Sequence, residues 1–211
     1  MRFMKMNVYI DGFNLYYGSL KGTPHKWLDV SLLCKHLFPK DTINKIKYFT
    51  ASMRVRPQDS NIDTPARQQI YLRALRTIPS IDIHYGFFLS HRVKMKKTDE
   101  SGFVEVWKTE EKGTDVNIAS HLLNDGHLGD YEIAVVISND SDLVTPIRMV
   151  VHELGLPVIV VTPYEKNSVE LKNSASSVRK IREGVLRVSQ FPETLRDETG
   201  EFIKPEEWRV I

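Results

Sequence analysis

Four aspartates in this 211-residue chain occupy positions that an acidic, metal-dependent site would require. Asp11 lies in VYIDGFNLYYG, Asp115 in EKGTDVNIA, and Asp140 and Asp142 in AVVISNDSDLVTP. Three of the four come directly after a strand-like apolar run, where an open parallel sheet forms its ligand crevice. Crowded carboxylates need cations, and hard divalent metals prefer oxygen ligands. The pattern therefore predicts a metal-dependent enzyme.

Each aspartate also has a local interpretation, because aspartate is common at helix starts and in turns. That interpretation is strong for Asp115, since an acid in the first helical turn complements the helix dipole without any ligand. Of Asp140 and Asp142, one is expected to be a cap and the other a ligand, and D-x-D spacing is a weak signal by itself. For Asp11 the local interpretation is weaker, because a carboxylate at the end of a buried strand is costly unless it has a function.

Apolar runs alternate with helix-like segments along the chain. The predicted strands are MNVYI, TINKIKYFTA, IDIHYGFFLS, YEIAVVIS and PVIVVTP. Helices are predicted after Gly12, over TPARQQIYLRALRTI with Thr64 as N-cap and Pro65 in the first turn, over residues 114–123, over DLVTPIRMVVHEL and over NSVELKNSASSVRKI. HRVKMKK and FVEVWK, separated by TDESG, predict an added β-hairpin.

This alternation predicts an α/β fold, a three-layer sandwich with a mostly parallel central sheet and an inserted β-hairpin. Asp11 follows VYI and Asp140 follows VVIS, so parallel strands would carry both acids to the same edge. Asp142 lies at the entry to the next helix, where exposed backbone N–H groups can orient it. Asp115 would enter the crevice from the side. We therefore expect four carboxylates around one or two metals.

The composition, with 41% hydrophobic residues, suits one domain with a buried core. A single cysteine, Cys34, excludes an intramolecular disulfide and is expected to be buried or partly buried. No apolar run approaches the length that spans a bilayer, and the N-terminus has no h-region. We expect a soluble, cytoplasmic protein with no membrane partner. A homo-oligomer stays open.

The formal net charge of +2 gives no general signature of a nucleic-acid binder. Positive charge is instead concentrated in one segment. HRVKMKKTDE carries Arg92, Lys94, Lys96 and Lys97, most of them on one face of a strand. The pattern fits a surface that follows phosphates and equally fits a solvated edge strand protected by lysines. The sequence leaves both interpretations open.

Three aromatic residues, Phe13, Tyr16 and Tyr17, follow Asp11 closely. Exposed rings of this kind can stack on unpaired bases. Their helical spacing also suits packing into the core, and that interpretation is the stronger one for Tyr16 and Tyr17.

The last segment of the chain differs from the rest. We predict a domain over residues 1–183 and a polar C-terminal extension over residues 184–211. Phe202, Ile203 and Trp208 would be odd in a disordered tail, so we expect them to dock on the domain or on a partner.

Three ordered motifs carry a resemblance to a known family: YIDGFNLYYG at residues 9–18, KGTDVNIASHLL at 112–123 and ISNDSDLVTPIR at 137–148. With them the chain resembles the NYN domain family, the LabA-like branch of the PIN-like nucleases, over about the first 180 residues. One departure is Asn139, where the family more often has glycine. Asparagine tolerates the left-handed conformation well, so we expect the loop to be kept.

The resemblance implies roles for individual residues. It implies catalytic, metal-binding acids at Asp11, Asp115, Asp140 and Asp142, with Mg²⁺ or Mn²⁺ as cofactor, and a polar partner at Asn14. It also implies motif positions at Lys112 and Ser138. The predicted substrate-binding residues are Asn14, Lys112, Ser138, Asn139, Arg92 and Lys94. Lys112 could contact a phosphate or could be an exposed lysine beside Glu110 and Glu111.

These residues and the resemblance suggest two functions and disfavour a third. The first is a metal-dependent endoribonuclease that hydrolyses single-stranded or structured RNA, and the choice of RNA comes from the resemblance. The second is a non-catalytic RNA-binding regulatory module that keeps the acidic pocket. The complete four-acid set favours the enzyme. A phosphotransfer receiver is disfavoured because the acceptor aspartate and late lysine that it requires are not evident.

Overall fold

A seven-stranded, mostly parallel sheet is the centre of the computed structural model, which describes residues 4–53, 63–166 and 168–209. The strand order is β4-β3-β2-β1-β5-β6-β7. All neighbours are parallel except β3 and β4, which are antiparallel. The strands are β1 Lys5–Asp11, β2 Thr42–Ala51, β3 Ile81–Lys96, β4 Phe103–Lys112, β5 Ile133–Ile137, β6 Val158–Thr162 and β7 Ser177–Lys180. The predicted α/β class is confirmed.

Helices cover both faces of this sheet. They are α1 Gly12–Leu15, α2 Val30–Leu37, α3 Thr64–Arg76, α4 Thr114–His127, α5 Val144–His152, α6 Val169–Ser174 and α7 Glu183–Val188. A π-helical turn, Tyr16–Leu20, continues α1, and a 3-10 turn, Ser141–Leu143, leads into α5. None of the helices in the described residues is long and apolar enough to cross a membrane.

The sheet separates two hydrophobic cores, and β1 contributes to both. Val8 and Ile10 pack into the core that includes α2 and α3, while Tyr9 packs into the core that includes α4 and α5. This alternation follows from the period of two along a strand. The central strands are buried on both faces, which is typical of a parallel sheet covered by helices. Cys34 lies buried in the first core, as predicted.

The register of β1 fixes the position of the first acid. Ile10 pairs with Ile137 of β5, and Asp11 pairs with Phe49 of β2. Because both pairings are parallel, the residue after β5, Ser138, emerges beside the end of β1. The first and third sequence motifs therefore meet at the carboxyl edge of the sheet.

Three details of the predicted secondary structure are wrong. The last predicted helix stops at Ser174, and Ser177–Lys180 instead form edge strand β7 on β6. Serine-rich sequence supports a helix poorly, and Val178 gains a strand partner in Val160. Thr64 is not the N-cap of α3, because Asp63 occupies that position and Pro65 lies in the first turn. The third mismatch concerns β3.

β3 is one 16-residue strand rather than the two separate strands predicted. It pairs with β2 as far as Gly86 and with β4 from Phe87 onward, so the hairpin of β3 and β4 extends beyond the parallel part of the sheet at its carboxyl edge. A Cβ atom at Gly86 would lie 2.5 Å from the carbonyl oxygen of Lys112. Glycine is therefore required where β3 changes partner.

The C-terminal segment packs on the rest of the chain through Trp27 and α3. Trp27 Nε1 donates to the carbonyl of Pro192 over 2.8 Å, and its ring lies 6.2 Å from that of Trp208. The small hairpin of β8 Thr194–Asp197 and β9 Gly200–Ile203 brings Phe202 into the first core, whereas Ile203 is 52% exposed. Phe202 and Trp208 thus pack with the first core, and Ile203 does not. The division at residue 184 stays a prediction.

Candidate active site

Asp11 ends β1 and caps the helix that follows it. Its Oδ1 accepts from the backbone N–H of Asn14 over 2.9 Å, and its Oδ2 accepts from Asn14 Nδ2 over 2.7 Å. Only 3% of Asp11 is exposed. Burial raises the pKa of its carboxyl group, while the hydrogen bonds from Asn14 and Ser138 oppose that shift.

The loop after β5 brings two more acids to this edge. Ser138 is fully buried, and its hydroxyl donates to Asp11 Oδ2 over 3.0 Å. The same hydroxyl oxygen accepts from the backbone N–H of Asp140 over 3.1 Å. Asp140 Oδ1 in turn accepts from the backbone N–H of Asp142 over 3.0 Å, so Asp140 acts as a cap of the 3-10 turn. Asp140 is half-buried and Asp142 is exposed.

Asp115 approaches from the first turn of α4, as expected from the sequence. Its pKa is raised to about 7, first by burial and then by the negative charges of Asp11, Asp140, Glu111 and Asp142. The charges of the other three predicted acids therefore act on Asp115. Like charges at this density favour the protonated form of Asp115 unless a cation is present.

The side chains form no preassembled metal cage. Over residues 4–53, 63–166 and 168–209, no group of three or more His, Cys, Asp or Glu side chains has the geometry to hold a metal ion. The chemistry of the donors still suits a hard divalent cation, because all four are carboxylates and, after burial, the charges of the others raise the pKa of Asp115. Mg²⁺ in particular keeps several waters and is bound by one or two carboxylates. The metal-ligand roles stay a prediction.

Two amides connect the loops around Asp11. Asn14 Oδ1 accepts from the backbone N–H of Asn139 over 3.2 Å. Asn139 Oδ1 accepts from the N–H of Ser168 over 2.8 Å, and its Nδ2 donates to the carbonyl of Lys166 over 3.2 Å. The side chain of Asn139 thus joins the loop after β5 to the loop after β6. Its predicted contact with substrate stays a prediction.

The expectation that Asn139 replaces glycine by adopting a left-handed backbone is wrong. Among the described non-glycine residues, positive φ is found at Glu100, in the turn of the β3–β4 hairpin, and not at Asn139. Asparagine is therefore not required there for a left-handed backbone. The amide group of Asn139, which glycine lacks, makes two hydrogen bonds to the loop after β6 and accepts a third from the hydroxyl of Thr162 at the end of β6.

The basic residues predicted to bind substrate lie on the hairpin or at its base. Lys112 is paired with Glu110 over 3.1 Å, which matches the alternative of an exposed lysine beside acids. The guanidinium of Arg92 lies over the ring of Trp107, and its Nη1 is 3.9 Å from Oε2 of Glu105. Lys94 pairs with Glu105 in the register of the hairpin. Within the part of the chain that the structure describes, these three cations form no ion pair with the four aspartates. Their substrate roles stay predictions.

A cavity of about 440 Å³ beside the acidic edge was not predicted. Gly12, the neighbour of Asp11, contributes to its wall, together with the rings of Phe13, Tyr16, Tyr17, Tyr48, Tyr71 and Trp208. Three of these rings follow Asp11 in sequence and were considered as base-stacking candidates. The others come from β2, α3 and the 3-10 turn Glu206–Trp208, which are distant in the chain, so no local pattern could have identified them.

Comparison with known proteins agrees with the fold and the motifs. The family model of the NYN domain matches residues 5–182. The chain is 30% identical to 6-hydroxy-3-succinoylpyridine 3-monooxygenase of Pseudomonas putida over 97% of this chain and 75% of that protein. A crystal structure of a Vibrio parahaemolyticus protein of unknown function aligns over 87% of this chain and 98% of that one, with a TM-score of 0.58 and 15% identity.

The family match covers all three sequence motifs and the whole acidic edge. The 15% identity of the Vibrio protein supports a shared fold alone. Assignment to the LabA-like branch stays a prediction. With motifs, sheet order and family match in agreement, the chain belongs to the NYN domain family.

Proposed function

We propose that this protein is a metal-dependent endoribonuclease that hydrolyses RNA phosphodiester bonds at the acidic edge of the sheet. The NYN family is a family of PIN-like nucleases, so membership supports a nuclease function in general. The observation that supports the finer proposal is the shared hydrogen bonding of Ser138 to Asp11 and to the backbone of Asp140, with Asp115 entering from the first turn of α4. In agreement with this, burial and then the charges of Asp11, Asp140, Glu111 and Asp142 raise the pKa of Asp115. A site that concentrates negative charge in this way is suited to bind cations.

The chain's own residues supply the positioning. Asp11, Asp115, Asp140 and Asp142 would hold Mg²⁺ or Mn²⁺, and Asn14 and Ser138 orient the carboxylate of Asp11 through their hydrogen bonds. At such a site the cation supplies acidification of a water and stabilisation of negative charge on phosphate oxygens. Without a cation, the carboxylates would repel the phosphodiester that has to approach them.

The outer part of the hairpin would offer a path for the nucleic acid. Because β3 and β4 extend from the carboxyl edge, Arg92 and Lys94 would lie on a surface leading to the aspartates. Phosphate contacts from such residues position a strand without reading its sequence. RNA is the substrate that the family favours.

The test is single-turnover cleavage of a labelled RNA with Mn²⁺, Mg²⁺ or EDTA. We expect wild type to cleave with metal only, and Asp11→Asn and Asp140→Asn to lose at least about 100-fold in rate, since each variant removes a charge that holds a hard cation. Asp82→Asn, an exposed acid on β3, is the matched control and should cleave like wild type.

The outcomes separate the enzyme from the alternative. Equal cleavage by wild type and both site variants would withdraw the assignment to this pocket. RNA binding by wild type with no cleavage under any metal condition would instead favour a non-catalytic RNA-binding regulatory module that keeps the acidic pocket.

A second candidate comes from the Pseudomonas putida relative, whose name describes oxygen insertion into a hydroxypyridine. The observation that favours it here is the aromatic cavity beside Asp11, which could hold a small ring. Oxygen insertion by this chain would consume O₂ and an external electron donor. Ring-dependent O₂ uptake by purified protein with NADH would support this candidate, and its absence together with metal-dependent RNA cleavage would exclude it.

A further inference from the structure

The cavity beside Asp11 has walls suited to a planar ring. Tyr16 and Tyr17 meet edge to face with their centroids 5.3 Å apart, and Tyr71 lies 6.4 Å from Tyr48 and 6.2 Å from Trp208. Aromatic side chains bind other rings by stacking or edge-to-face contact. A volume of about 440 Å³ is within the range of small-ligand pockets.

Among the described residues that line the cavity, the charged groups are mostly cations. Lys21, Lys26 and Arg67 contribute to its lining, and Glu207 is the acid among the described lining residues. Arg67 already donates to Glu207 Oε1 over 2.8 Å and to Thr64 Oγ1 over 3.1 Å. Lys21 lies 4.9 Å from the ring centroid of Tyr17. Because Glu207 is already paired with Arg67, it does not neutralise the positive charges of Lys21 and Lys26 as well. The cavity therefore favours an anionic ligand.

The cavity is separate from the carboxylates but adjacent to them. Gly12 lies between, and a Cβ atom there would come within 2.8 Å of ring carbons of Tyr48. The absence of a side chain lets the start of α1 rest against Tyr48, which places the aromatic wall next to Asp11. Gly12 thus connects the cavity wall to the strand end that carries Asp11, although none of the four aspartates lines the cavity.

We propose that this cavity binds a planar aromatic ring that carries an anionic substituent. The ring stacks against the tyrosine and tryptophan side chains, and the anion faces Lys21 and Lys26. Such chemistry is present in a nucleotide and also in a small aromatic carboxylate. The proposal does not rest on the nuclease activity, because it concerns binding in a cavity that includes none of the four aspartates.

The test is calorimetric titration of the full chain in EDTA with two matched pairs of probes. UMP against uridine isolates the anionic group, and benzoate against cyclohexanecarboxylate isolates the aromatic ring. We expect the first probe of at least one pair to bind about tenfold more tightly than the second. Repeating the titrations with Asp140→Asn, which cannot cleave RNA if the proposed function holds, should give unchanged affinities.

Three exposed or half-exposed side chains allow variants that should keep the fold. Tyr17→Leu should weaken every aromatic probe by about fivefold, and Lys21→Gln with Lys26→Gln should weaken UMP and benzoate by about tenfold while leaving uridine unchanged. Lys35→Gln with Lys40→Gln is the control of equal charge change, because both lysines are exposed near the amino edge of the sheet.

The two probe pairs also distinguish the source of the ligand. Binding of UMP without benzoate identifies a nucleotide, and binding of benzoate without UMP identifies a small aromatic acid. No heat from UMP or benzoate at about 10 mM, or equal affinities within both pairs, would overturn the proposal. So would affinities that the cavity variants leave unchanged.

Discussion

The hydroxyl of Ser138 donates to Oδ2 of Asp11 over 3.0 Å, which joins the carboxyl ends of two neighbouring parallel strands across 127 positions of sequence. The same hydroxyl oxygen accepts from the backbone of Asp140. A single buried side chain therefore sets the position of one acid relative to another. Ser138 acts as a positioning residue in the proposed site.

Ser138→Ala removes a donor from a buried carboxylate. We expect the free energy of unfolding to fall by about 1–3 kcal/mol, because a hydrogen bond to a charged group is lost at a buried position. The pKa of Asp11 should rise further, since the Ser138 hydrogen bond holds it down. The acidic limb of the pH–rate profile for RNA cleavage should accordingly move to higher pH.

Ser141→Ala is the control for Ser138→Ala, because Ser141 is exposed in the following turn. Its unfolding free energy should stay within about 0.5 kcal/mol of wild type, and its pH–rate profile should not move. A Ser138→Ala variant with an unshifted profile would mean that the hydroxyl does not tune Asp11.

Asp115 should make the metal-free protein less stable at high pH. Its folded-state pKa of about 7 lies above the ordinary value of 3.8, so the native state holds the proton more tightly than the unfolded state does. The favourable contribution is complete below about pH 4 and is lost as the pH rises through about 7. Above that pH, Asp115→Asn should raise Tm by about 2–4 °C, a modest gain because Asp115 is partly exposed and solvent screens its charge. Near pH 4 the substitution should give no gain in Tm.

The measurement is thermal unfolding in EDTA from pH 4 to 8.5 for wild type, Asp115→Asn and the exposed control Asp82→Asn. Added Mn²⁺ should stabilise wild type and reduce the difference, because a cation relieves the repulsion. If Asp115→Asn and wild type show parallel curves over the whole pH range, the four acids do not repel one another as inferred.

Replacing Arg92 and Lys94 with alanine should weaken RNA binding and flatten its dependence on salt, if these residues follow phosphates. Both belong to the β3–β4 hairpin, where exposed positions contribute little to stability, so Tm should change by less than about 2 °C. The measurement is the RNA dissociation constant between low and high salt. Lys35→Ala with Lys40→Ala removes the same charge from another surface and should leave the slope unchanged. An unchanged slope for the hairpin variant would assign Arg92 and Lys94 to a solvated edge.

Phe202→Ala should destabilise the protein by about 3 kcal/mol, because Phe202 is 9% exposed, lies in the first core and has the guanidinium of Arg73 4.1 Å from its ring. The neighbouring Ile203 is 52% exposed, and Ile203→Ala should change stability by less than about 0.5 kcal/mol. Chemical denaturation of both variants measures the contrast. Equal effects would mean that the C-terminal hairpin is not docked on the domain as described.

Several features were predictable from the sequence because they depend on local pattern. Continuous apolar runs identified β1 and β5, and the residues that follow them carried Asp11 and Asp140 to one edge once the strands were taken as parallel. Asp115 was placed in the first turn of its helix by the same reasoning. Strand periodicity and helix starts are encoded within a few residues, so they can be identified without a fold.

Other features depended on tertiary contacts between distant segments. The Ser138–Asp11 hydrogen bond, the aromatic cavity and the change of partner at Gly86 each join parts of the chain that no local pattern connects. The buried pair of Lys47 and Asp125, 2.6 Å apart, is another case, since either residue alone would be expected at the surface. The residues that could carry chemistry were thus determined by sequence. Their hydrogen bonds, burial and shifted pKa values arise only when strands and helices pack together and exclude water.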